Sequence, residues 1–328
     1  MATAEPQPHS FLVALVTGAN GFVGRLLCAE LLQQGWRVKA AVRTAAHLPH
    51  GVEAVLIKTL DGETDWIDAL YGVDVVIHLA ARVHVMHDSV ADPLAEFLKV
   101  NLHGTENLAR QAAHAGVKRL VFVSSIKVNG EATCDGQRFS ETDMSAPQDP
   151  YGISKWEAEQ ALQRVSAQTG LEVVIVRPPL VYGPGVKGNF AQMMNIVAKR
   201  IPLPFACIHN LRSLVYVGNL ADALITCSTH AAAAGQTYLV CDGEDISTPD
   251  LLRQLAHNMG VSARLFFCPP VLLKLAGKLT GKSQQLERLF GSLRVEGDKI
   301  RADLNWTPPY SLRQGLQMTA ECHRTKHT

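Results

Sequence analysis

The sequence has 328 residues, of which 47% are hydrophobic and 19% are charged, so the chain can bury a large core and does not have the composition of a disordered protein. Its 31 basic and 30 acidic residues leave a formal net charge of +1. No segment concentrates lysine and arginine into the basic block that is typical of nucleic-acid-binding proteins, so a nucleic-acid partner is not expected.

The cysteines and the N-terminus indicate the compartment. The seven cysteines are scattered and form no C-x-x-C pair, which favours free thiols over disulfides or a zinc site. The apolar run near the N-terminus has no basic region before it, and no stretch reaches about 18 uninterrupted apolar residues. We therefore predict a cytoplasmic protein without an integral membrane segment. No metal is expected either, because His84 and His87 have no third ligand nearby.

Short apolar runs rich in valine and isoleucine alternate with helix-like segments through the first half of the sequence. Runs of this kind are typical of strands that are buried on both faces of a parallel sheet. The predicted strands cover residues 11–17, 37–42, 73–80, 119–125 and 172–178. Because amphipathic segments such as "RLLCAELLQQG" lie between them, we expect an α/β fold with a Rossmann-type doubly wound parallel sheet.

A glycine motif, "TGANGFVG", lies between the first predicted strand and the first predicted helix. Glycine permits the tight turn and lets backbone N–H groups approach a pyrophosphate at the positive end of the helix. Glycines are common in turns, but this position makes the motif a strong indication of a dinucleotide site. The residues expected to contact the cofactor here are Gly18, Asn20, Gly21, Phe22, Val23 and Gly24.

The end of the second predicted strand usually distinguishes NAD from NADP. An acidic residue there binds the ribose hydroxyls of NAD, whereas an arginine accommodates the 2′-phosphate of NADP. The sequence "VKAAVRT" has Val42 at the acidic position, and Arg43 follows it. We therefore expect NADP(H), or use of both cofactors. A solvated Arg43 beside a permissive NAD site is the alternative.

Three residues are predicted to be catalytic. Tyr151 and Lys155 lie four residues apart in "DPYGISKWEAEQ", on one face of a predicted helix, and Ser125 ends a preceding strand in "VSSIKVNGE". Hydride transfer between nicotinamide and a carbinol carbon requires a proton to move on the oxygen. Lys155 and an oxidised nicotinamide supply the positive charge that makes Tyr151 basic, and Ser125 fixes the substrate oxygen.

The pattern of the sequence changes after Pro178. The segment "PPLVYGPGVKG" is rich in proline and glycine, and strands no longer alternate regularly with helices. We predict an NAD(P)-binding domain over residues 1–178. A mainly substrate-binding domain is predicted over 179–328, with some of its segments returning to the sheet.

Together these motifs resemble those of the extended short-chain dehydrogenases/reductases of the NAD-dependent epimerase/dehydratase family. The resemblance covers nearly the whole chain and includes "HLAA", "VNLHGT", "VRPPLVYGPG", "RSLVYVGNLADAL" and "LNWTPPYSLRQGL". It implies that Asn101 supports the active-site helix and that Lys155 also holds the nicotinamide ribose. Further residues implied to bind the cofactor are Leu79, Ala80, Ala81 and Pro178. A homodimer formed through helices near 93–115 and 151–168 is implied as well.

The loop after Ser125 departs from the family pattern. Dehydratases of the family carry an acidic pair at the next two positions, which are Ile126 and Lys127 here. Isoleucine cannot transfer a proton, so dehydration is not expected. Lys127 either directs its cation at a substrate carbonyl or faces solvent. Asn129 replaces a frequent tyrosine, which we interpret as a packing change.

The resemblance also implies a site for a UDP-sugar. Asn189 and Arg212 occupy positions like those with which family members hold a diphosphate, and the planar donor fork of arginine suits phosphate oxygens. Leu203, in "IPLPF", lies in a segment suited to a uracil ring. Leu180 stands where the family has a second asparagine, and Thr59 stands where it often has an aspartate near adenine.

Two features of the C-terminal half allow more than one interpretation. A second arginine for the diphosphate is either Arg288 or Arg294. The apolar segment 266–282, which carries interspersed lysines, is expected to cover the substrate pocket. Contact with a membrane surface is its alternative.

These residues favour an NAD(P)-dependent nucleotide-sugar oxidoreductase. By resemblance, the enzyme reduces the C4 keto group of a UDP-4-keto-6-deoxy-hexose of the N-acetylated hexosamine type, for lipopolysaccharide O-antigen or other surface polysaccharide. The alternative is a UDP-hexose 4-epimerase of the UDP-glucose or UDP-N-acetylglucosamine type with a retained NAD. The missing acidic residue at position 42 and Leu180 count against that alternative.

Two other functions fit the residues less well. A steroid or phenolic aldehyde would be reduced on the same fold, but Asn189 and Arg212 favour a diphosphate. A sensor or scaffold that binds the cofactor without turnover typically loses the catalytic tyrosine or lysine, and this chain keeps both.

Overall fold

The structure is a computed structural model, and it describes residues 11–45, 47–83, 92–134, 136–269, 271 and 290–325. The strands of the described residues are β1 (Val13–Thr17), β2 (Arg37–Val42), β3 (Glu53–Leu56), β4 (Val75–His78), β5 (Arg119–Val123), β6 (Glu172–Arg177), β7 (Leu180–Tyr182), β8 (Arg212–Tyr216), β9 (Thr237–Leu239) and β10 (Asp245–Ile246). All five predicted strands are present, whereas the short edge strand β3 was not predicted, because most of its residues are exposed and form no buried apolar run.

The helices begin and end as follows: α1 (Phe22–Gln33), α2 (Ile67–Leu70), α3 (Pro93–Leu98), α4 (Gly104–His114), α5 (Pro150–Thr169), α6 (Gly188–Ala198), α7 (Val217–Thr229), α8 (Thr248–Asn258), α9 (Asp298–Leu304) and α10 (Leu312–Thr325). A π-helical turn, Lys99–His103, joins α3 to α4. In the described parts of the chain, no helix has both the length and the apolar character needed to cross a bilayer.

A seven-stranded sheet forms the centre of the molecule, in the order β3-β2-β1-β4-β5-β6-β9. Every neighbouring pair is parallel. The first six strands have the 3-2-1-4-5-6 order of a doubly wound dinucleotide-binding sheet. The predicted fold class is confirmed.

Helices cover both faces of this sheet, which explains why its strands are apolar along their whole length. On one face, Leu27 of α1 and Leu224 of α7 belong to one buried cluster with Val16 and Ile77. On the other face, α4 and α5 contribute to a second cluster. The sheet is therefore held from both sides, and only its edges and strand ends remain accessible.

After β6 the chain builds a second, three-stranded sheet in the order β10-β8-β7. Strand β8 is parallel to β7 and antiparallel to β10. Helices α6, α8 and α10 pack around a separate apolar cluster beside it, which includes Phe190, Leu255 and Leu316. Between β8 and β10, the chain returns to the main sheet through α7 and β9.

The parallel order of the main sheet determines where a ligand can bind. The carboxyl ends of β1, β4, β5 and β6 all lie at one edge, and ligands of such sheets bind in the crevice outside that edge. The glycine motif, the segment 79–81, Ser125 and Pro178 each follow one of these four strands. The topology therefore gathers most of the predicted site residues at one edge.

Candidate active site

The glycine loop turns the chain from β1 into α1. Gly18 has φ +68°, a left-handed conformation, and a Cβ there would lie 2.9 Å from the backbone nitrogen of Ala80. Gly21 directly precedes α1, whose first turn has neither a side-chain cap nor an acidic residue. The backbone N–H groups at this helix end are therefore available to an anion, and the loop fits the pyrophosphate of a dinucleotide.

Gly24 is the position in this loop where a side chain should do most damage. Its Cβ would lie 2.6 Å from the Cα of Ala19 and even closer to the carbonyl oxygen of Gly18. We expect Gly24→Ala to lower the free energy of unfolding by about 1–3 kcal/mol and to reduce the dinucleotide that co-purifies. Gly62→Ala is the control, because its Cβ would meet only the Cβ of His103 at 3.5 Å. Equal unfolding midpoints and equal dinucleotide contents for the two variants would contradict this expectation.

A buried histidine supports the turn that follows β4. The Nδ1 atom of His78 lies 2.6 Å from Oγ1 of Thr17, which also accepts a hydrogen bond from the backbone N–H of Ala80. The Nε2 atom of His78 lies 2.9 Å from Oγ1 of Thr105. Burial, with a smaller contribution from Lys155, lowers the pKa of His78 to about 3, so the ring is neutral near pH 7. Sequence reasoning missed His78, although a histidine that ends an apolar strand is itself a signal.

Asn101 connects the same turn to the helix that carries Tyr151. It is buried in the π-helical turn, a distortion often found at functional sites. Its Nδ2 donates to the carbonyl oxygen of Arg82 at 3.0 Å and to Oγ of Ser154 at 2.9 Å, and its Oδ1 accepts from the N–H of Arg82. Because these bonds tie α5 to the loop after β4, Asn101 is placed to support the geometry of that helix.

The other predicted cofactor residues lie around these elements. Asn20 is exposed, Phe22 and Val23 are half-buried in the first turn of α1, and Leu79, Ala80 and Ala81 are half-buried after β4. Pro178 is buried, and its carbonyl oxygen accepts from the N–H of Ile126 at 3.0 Å. Arg43 is exposed directly after the buried Val42 at the end of β2, and Thr59 is exposed as well.

The loop that follows β5, residues 124–131, is called the serine loop below, and it is in direct contact with the start of α5. A Cβ at Gly152, in the first turn of α5, would lie only 3.0 Å from the carbonyl oxygen of Lys127. The Oγ atom of Ser125 accepts a hydrogen bond from the N–H of Lys127 at 3.3 Å, which leaves its own O–H to donate to a substrate oxygen. The fold therefore holds Ser125 beside the helix turn that bears Tyr151.

Tyr151 and Lys155 lie on α5 among aromatic rings. The ring of Tyr151 meets that of Phe97 edge-on at 6.2 Å, and the ammonium of Lys155 lies 3.9 Å from the ring centroid of Phe122. The contact between the ammonium and the Phe122 ring is of the kind that stabilises a buried cation.

Burial opposes the charged forms of both catalytic side chains. It raises the pKa of Tyr151 to about 12, with a further rise from the Asp149 carboxylate. It lowers the pKa of Lys155 to about 7, against the opposing effect of Glu159. Lys155 alone does not offset the effect of burial on the pKa of Tyr151. The combined effect of Lys155 and an oxidised nicotinamide stays a prediction. Ionisation of Tyr151 near neutral pH requires further positive charge at the phenol.

Lys127 has partners that neither sequence interpretation included. Its side chain is 26% exposed, and its ammonium donates to Oε1 of Glu131 at 2.9 Å and also contacts Oδ2 of Asp149. The Oδ1 atom of Asp149 caps α5 by accepting from the N–H of Gly152 at 2.7 Å. Lys127 is therefore tied to the start of the active-site helix.

A buried hydrogen-bonded ion pair lies behind the catalytic residues. Glu159 is fully buried and accepts from Nε and Nη2 of Arg177 at 3.0 and 2.5 Å, and from the hydroxyl of Ser124. Arg177 also donates to Oδ1 of Asn129 at 3.0 Å, whose Nδ2 donates to the carbonyl oxygen of Ser140. Asn129 thus acts through hydrogen bonds rather than through packing alone. Sequence reasoning missed the other three side chains, because they lie on separate elements and no local pattern predicts that they meet.

The predicted substrate residues lie in the C-terminal half. Asn189 is exposed in the first turn of α6. Leu203 is half-buried against the apolar cluster of that half, and its backbone pairs with residues 264–266. Arg212 begins β8 and donates to the carbonyl oxygen of Gly291 at 3.1 Å. A diphosphate site at these residues stays a prediction.

The two candidates for a second diphosphate arginine differ. Arg294 is bonded to the Asp245 carboxylate at 2.8 Å, and Arg138 donates to the same oxygen. Arg288 lies outside the described residues, as do His84, His87 and most of the apolar segment 266–282.

Comparisons with known proteins agree with this geometry. Residues 14–241 match a model of the NAD dependent epimerase/dehydratase family. The chain is 46% identical to a UDP-glucose 4-epimerase of Vibrio cholerae, over 94% of each chain. It is 26% identical, over 94% of each chain, to an N-acetyl-alpha-D-glucosaminyl-diphospho-ditrans,octacis-undecaprenol 4-epimerase of Escherichia coli O157:H7.

A solved structure described as MoeE5 in complex with UDP-glucose and NAD is similar as well. It superposes with a TM-score of 0.77 at 25% identity, over 96% of this chain and 99% of that one. The similarity therefore extends over both the main sheet and the C-terminal half.

Proposed function

The chain belongs to the NAD-dependent epimerase/dehydratase family, and from this premise we propose that it is a UDP-hexose 4-epimerase of the UDP-glucose or UDP-N-acetylglucosamine type that retains NAD. The observation that carries the proposal is the 46% identity, over 94% of both chains, to a UDP-glucose 4-epimerase. It supports the alternative interpretation of the sequence better than the C4 ketoreductase. The proximity of the serine loop to the start of α5 supports oxidation and reduction at one sugar carbon.

The side chains of the site suit proton transfer at the C4 oxygen of the sugar. The phenolate of Tyr151 accepts the proton of the C4 hydroxyl, while Ser125 donates a hydrogen bond to the same oxygen. The ammonium of Lys155 stabilises the phenolate. When bound, an oxidised dinucleotide supplies both positive charge beside the phenol and a reversible hydride acceptor. Tyr151 then returns the proton to the oxygen, so no net proton is consumed.

Epimerisation places a further demand on the site. Inversion at C4 requires the keto sugar to turn its other face to the hydride donor before reduction, so the hexose must be able to rotate while its diphosphate stays fixed. Asn189 and Arg212 are proposed to hold the diphosphate, since a planar guanidinium binds phosphate oxygens in pairs. Leu203 is proposed to lie beside the uracil ring.

The residue after Ser125 supports a reaction without elimination of water. Ile126 is 4% exposed and belongs to an apolar cluster with Leu239 and Val295. An aliphatic side chain has no ionisable proton and cannot act as the acid of a dehydratase. The chemistry proposed here therefore stops at oxidation and reduction of one carbon.

The bound cofactor provides the direct test. We expect the purified protein to release one equivalent of NAD on denaturation, to resist exchange with added NADPH, and to interconvert UDP-glucose and UDP-galactose without added cofactor. A substrate deuterated at C4 should keep its label in the product, because the same bound dinucleotide returns the hydride. A freely exchanging site that prefers NADPH and reduces a UDP-4-keto-6-deoxy-hexose would instead support the ketoreductase and the Arg43 argument.

Two finer properties stay predictions. A homodimer through the helices near 93–115 and 151–168 is tested by the molecular mass in solution. A role in O-antigen or other surface-polysaccharide synthesis is tested by the polysaccharide made by a strain that lacks the protein.

A further inference from the structure

Tyr151 and Lys155 lie between two carboxylates of the same helix, and a cation from another element is bonded to each carboxylate. Asp149 at the start of α5 contacts Lys127, and Glu159 contacts Arg177. The Arg177 pair is buried, whereas the Lys127 pair lies next to Ser125 and to the first turn of the helix. This arrangement suggests a specific role for Lys127, which the proposed function leaves open.

We infer that Lys127 is a positioning residue for the proposed reaction. Its ammonium holds the Asp149 carboxylate at the start of α5, which fixes the helix turn that bears Tyr151 beside the serine loop. The same contact compensates the negative charge of Asp149 near the phenol. The inference rests on the proposed function for its kinetic test, but its geometry does not depend on the substrate.

The geometry ties Lys127 to the helix start in two ways. Its ammonium contacts Oδ2 of Asp149, whose other oxygen caps the helix through the N–H of Gly152. Its carbonyl oxygen lies so near to Gly152 that a Cβ there would be 3.0 Å away. In addition, the N–H of Ala146 donates to the carbonyl oxygen of Val128 at 2.9 Å, which fastens the segment leading into α5 to the same loop. Loss of the ammonium would therefore loosen the helix start.

The charges around Tyr151 give this contact a chemical consequence. After burial, the Asp149 carboxylate is the next cause of the raised pKa of Tyr151, because a negative charge opposes formation of a phenolate. Among the described residues, the other charged groups near this part of the molecule include Lys155 on α5, Lys127 and Glu131 on the serine loop, and Arg82, whose guanidinium packs over the ring of Phe97. Lys127 directly contacts Asp149, and its positive charge offsets the effect of the carboxylate.

A substrate-binding role would give Lys127 different properties. An ammonium that is already shared by two carboxylates has little remaining capacity to bind a sugar carbonyl. Substrate binding by Lys127 would appear in KM, whereas positioning of Tyr151 appears in kcat and in its dependence on pH. The two roles can therefore be separated by kinetics.

The first test is Lys127→Met. Removal of the cation weakens the compensation of the Asp149 charge, which favours the protonated phenol. We therefore expect kcat to fall by about tenfold at neutral pH, to recover as the pH is raised, and to leave KM for the UDP-sugar unchanged. Lys127→Arg should keep most of the activity. The control is Arg253→Met, which removes the cation of an exposed ion pair with Asp250 in the first turn of α8 and should change neither kcat nor its pH profile.

A second variant separates an effect of charge from a simple loss of stability in Lys127→Met. Lys127→Met combined with Asp149→Asn removes both charges, and asparagine can still cap the helix. The pH profile of this double variant should return towards that of the wild type. The inference is overturned if the double variant remains shifted like the single one, or if Lys127→Met raises KM and leaves the pH profile unchanged.

A readout independent of turnover separates this inference from the proposed function. Absorbance of tyrosinate in the purified enzyme is titrated with base, and the signal of Tyr151 is obtained by subtracting that of Tyr151→Phe. In Lys127→Met, the Tyr151 signal should appear at higher pH than in the wild type. A wild-type protein that does not convert UDP-sugars would defeat the proposed function and leave this titration as the test of Lys127. An unchanged titration in Lys127→Met would overturn the inference.

Discussion

Tyr151→Phe is expected to lower kcat by about 10²–10⁴-fold, the range found when a general acid–base group is removed. The phenol hydroxyl is the proposed acceptor and donor of the C4 proton, and the other described residues at the site do not replace it. Ser125 is a hydroxyl without an adjacent base, and the ammonium of Lys155 is buried against Phe122. The substitution removes a single oxygen and keeps the edge-on contact with Phe97.

The measurement is the initial rate of UDP-hexose interconversion, together with the dinucleotide content and the thermal midpoint of each variant. Tyr71→Phe is the matched control, because Tyr71 is 83% exposed beside Lys39 and neither residue belongs to the candidate active site. The control should keep its full rate. A Tyr151→Phe enzyme that retained dinucleotide and worked within a fewfold of the wild-type rate would remove Tyr151 from the mechanism.

Glu159→Gln is expected to lower the free energy of unfolding by about 3–5 kcal/mol, the usual cost of removing one partner of a buried ion pair. Glu159 has no exposed surface and the side chain of Arg177 is 8% exposed. The neutral amide would leave the guanidinium without its countercharge in a medium of low dielectric constant. Its NH2 group would also replace one of the two oxygens that accept hydrogen bonds from Arg177 and Ser124. Because the pair joins β6, α5 and the end of β5, activity should fall as well.

Urea unfolding of Glu159→Gln and of a control variant measures the loss in the free energy of unfolding. The control is Glu106→Gln, which breaks an exposed pair between positions i and i+4 with Arg110, whose side chain is 48% exposed, and should cost about 0.5 kcal/mol or less. Replacing both buried partners by apolar residues, as in Glu159→Leu with Arg177→Met, should recover part of the loss. A cost for Glu159→Gln no larger than that of the control would contradict the expectation.

Several features of this protein were predictable because each depends on a few neighbouring residues. Apolar runs in 37–42, 119–125 and 172–178 predicted strands, and the structure has strands there. The tight turn at the glycine motif and the helix that follows were expected from the motif alone. The i, i+4 spacing of Tyr151 and Lys155 likewise follows from the pitch of a helix. These are local properties of the chain, so the sequence is sufficient to state them.

The sequence by itself determined the fold class, the cofactor loop and the identities of the three candidate catalytic residues. Only the tertiary structure decided the burial and the charged neighbours that set the pKa values of these residues. Thr17 meets His78 across 61 positions, and Arg177 at the end of β6 meets Glu159 on α5. The partners of Lys127 belong to a loop and a helix end that the fold brings together. The physical reason is that a pKa depends on burial and on charges within a few ångströms, and these are set by the packing of distant segments rather than by neighbours along the chain.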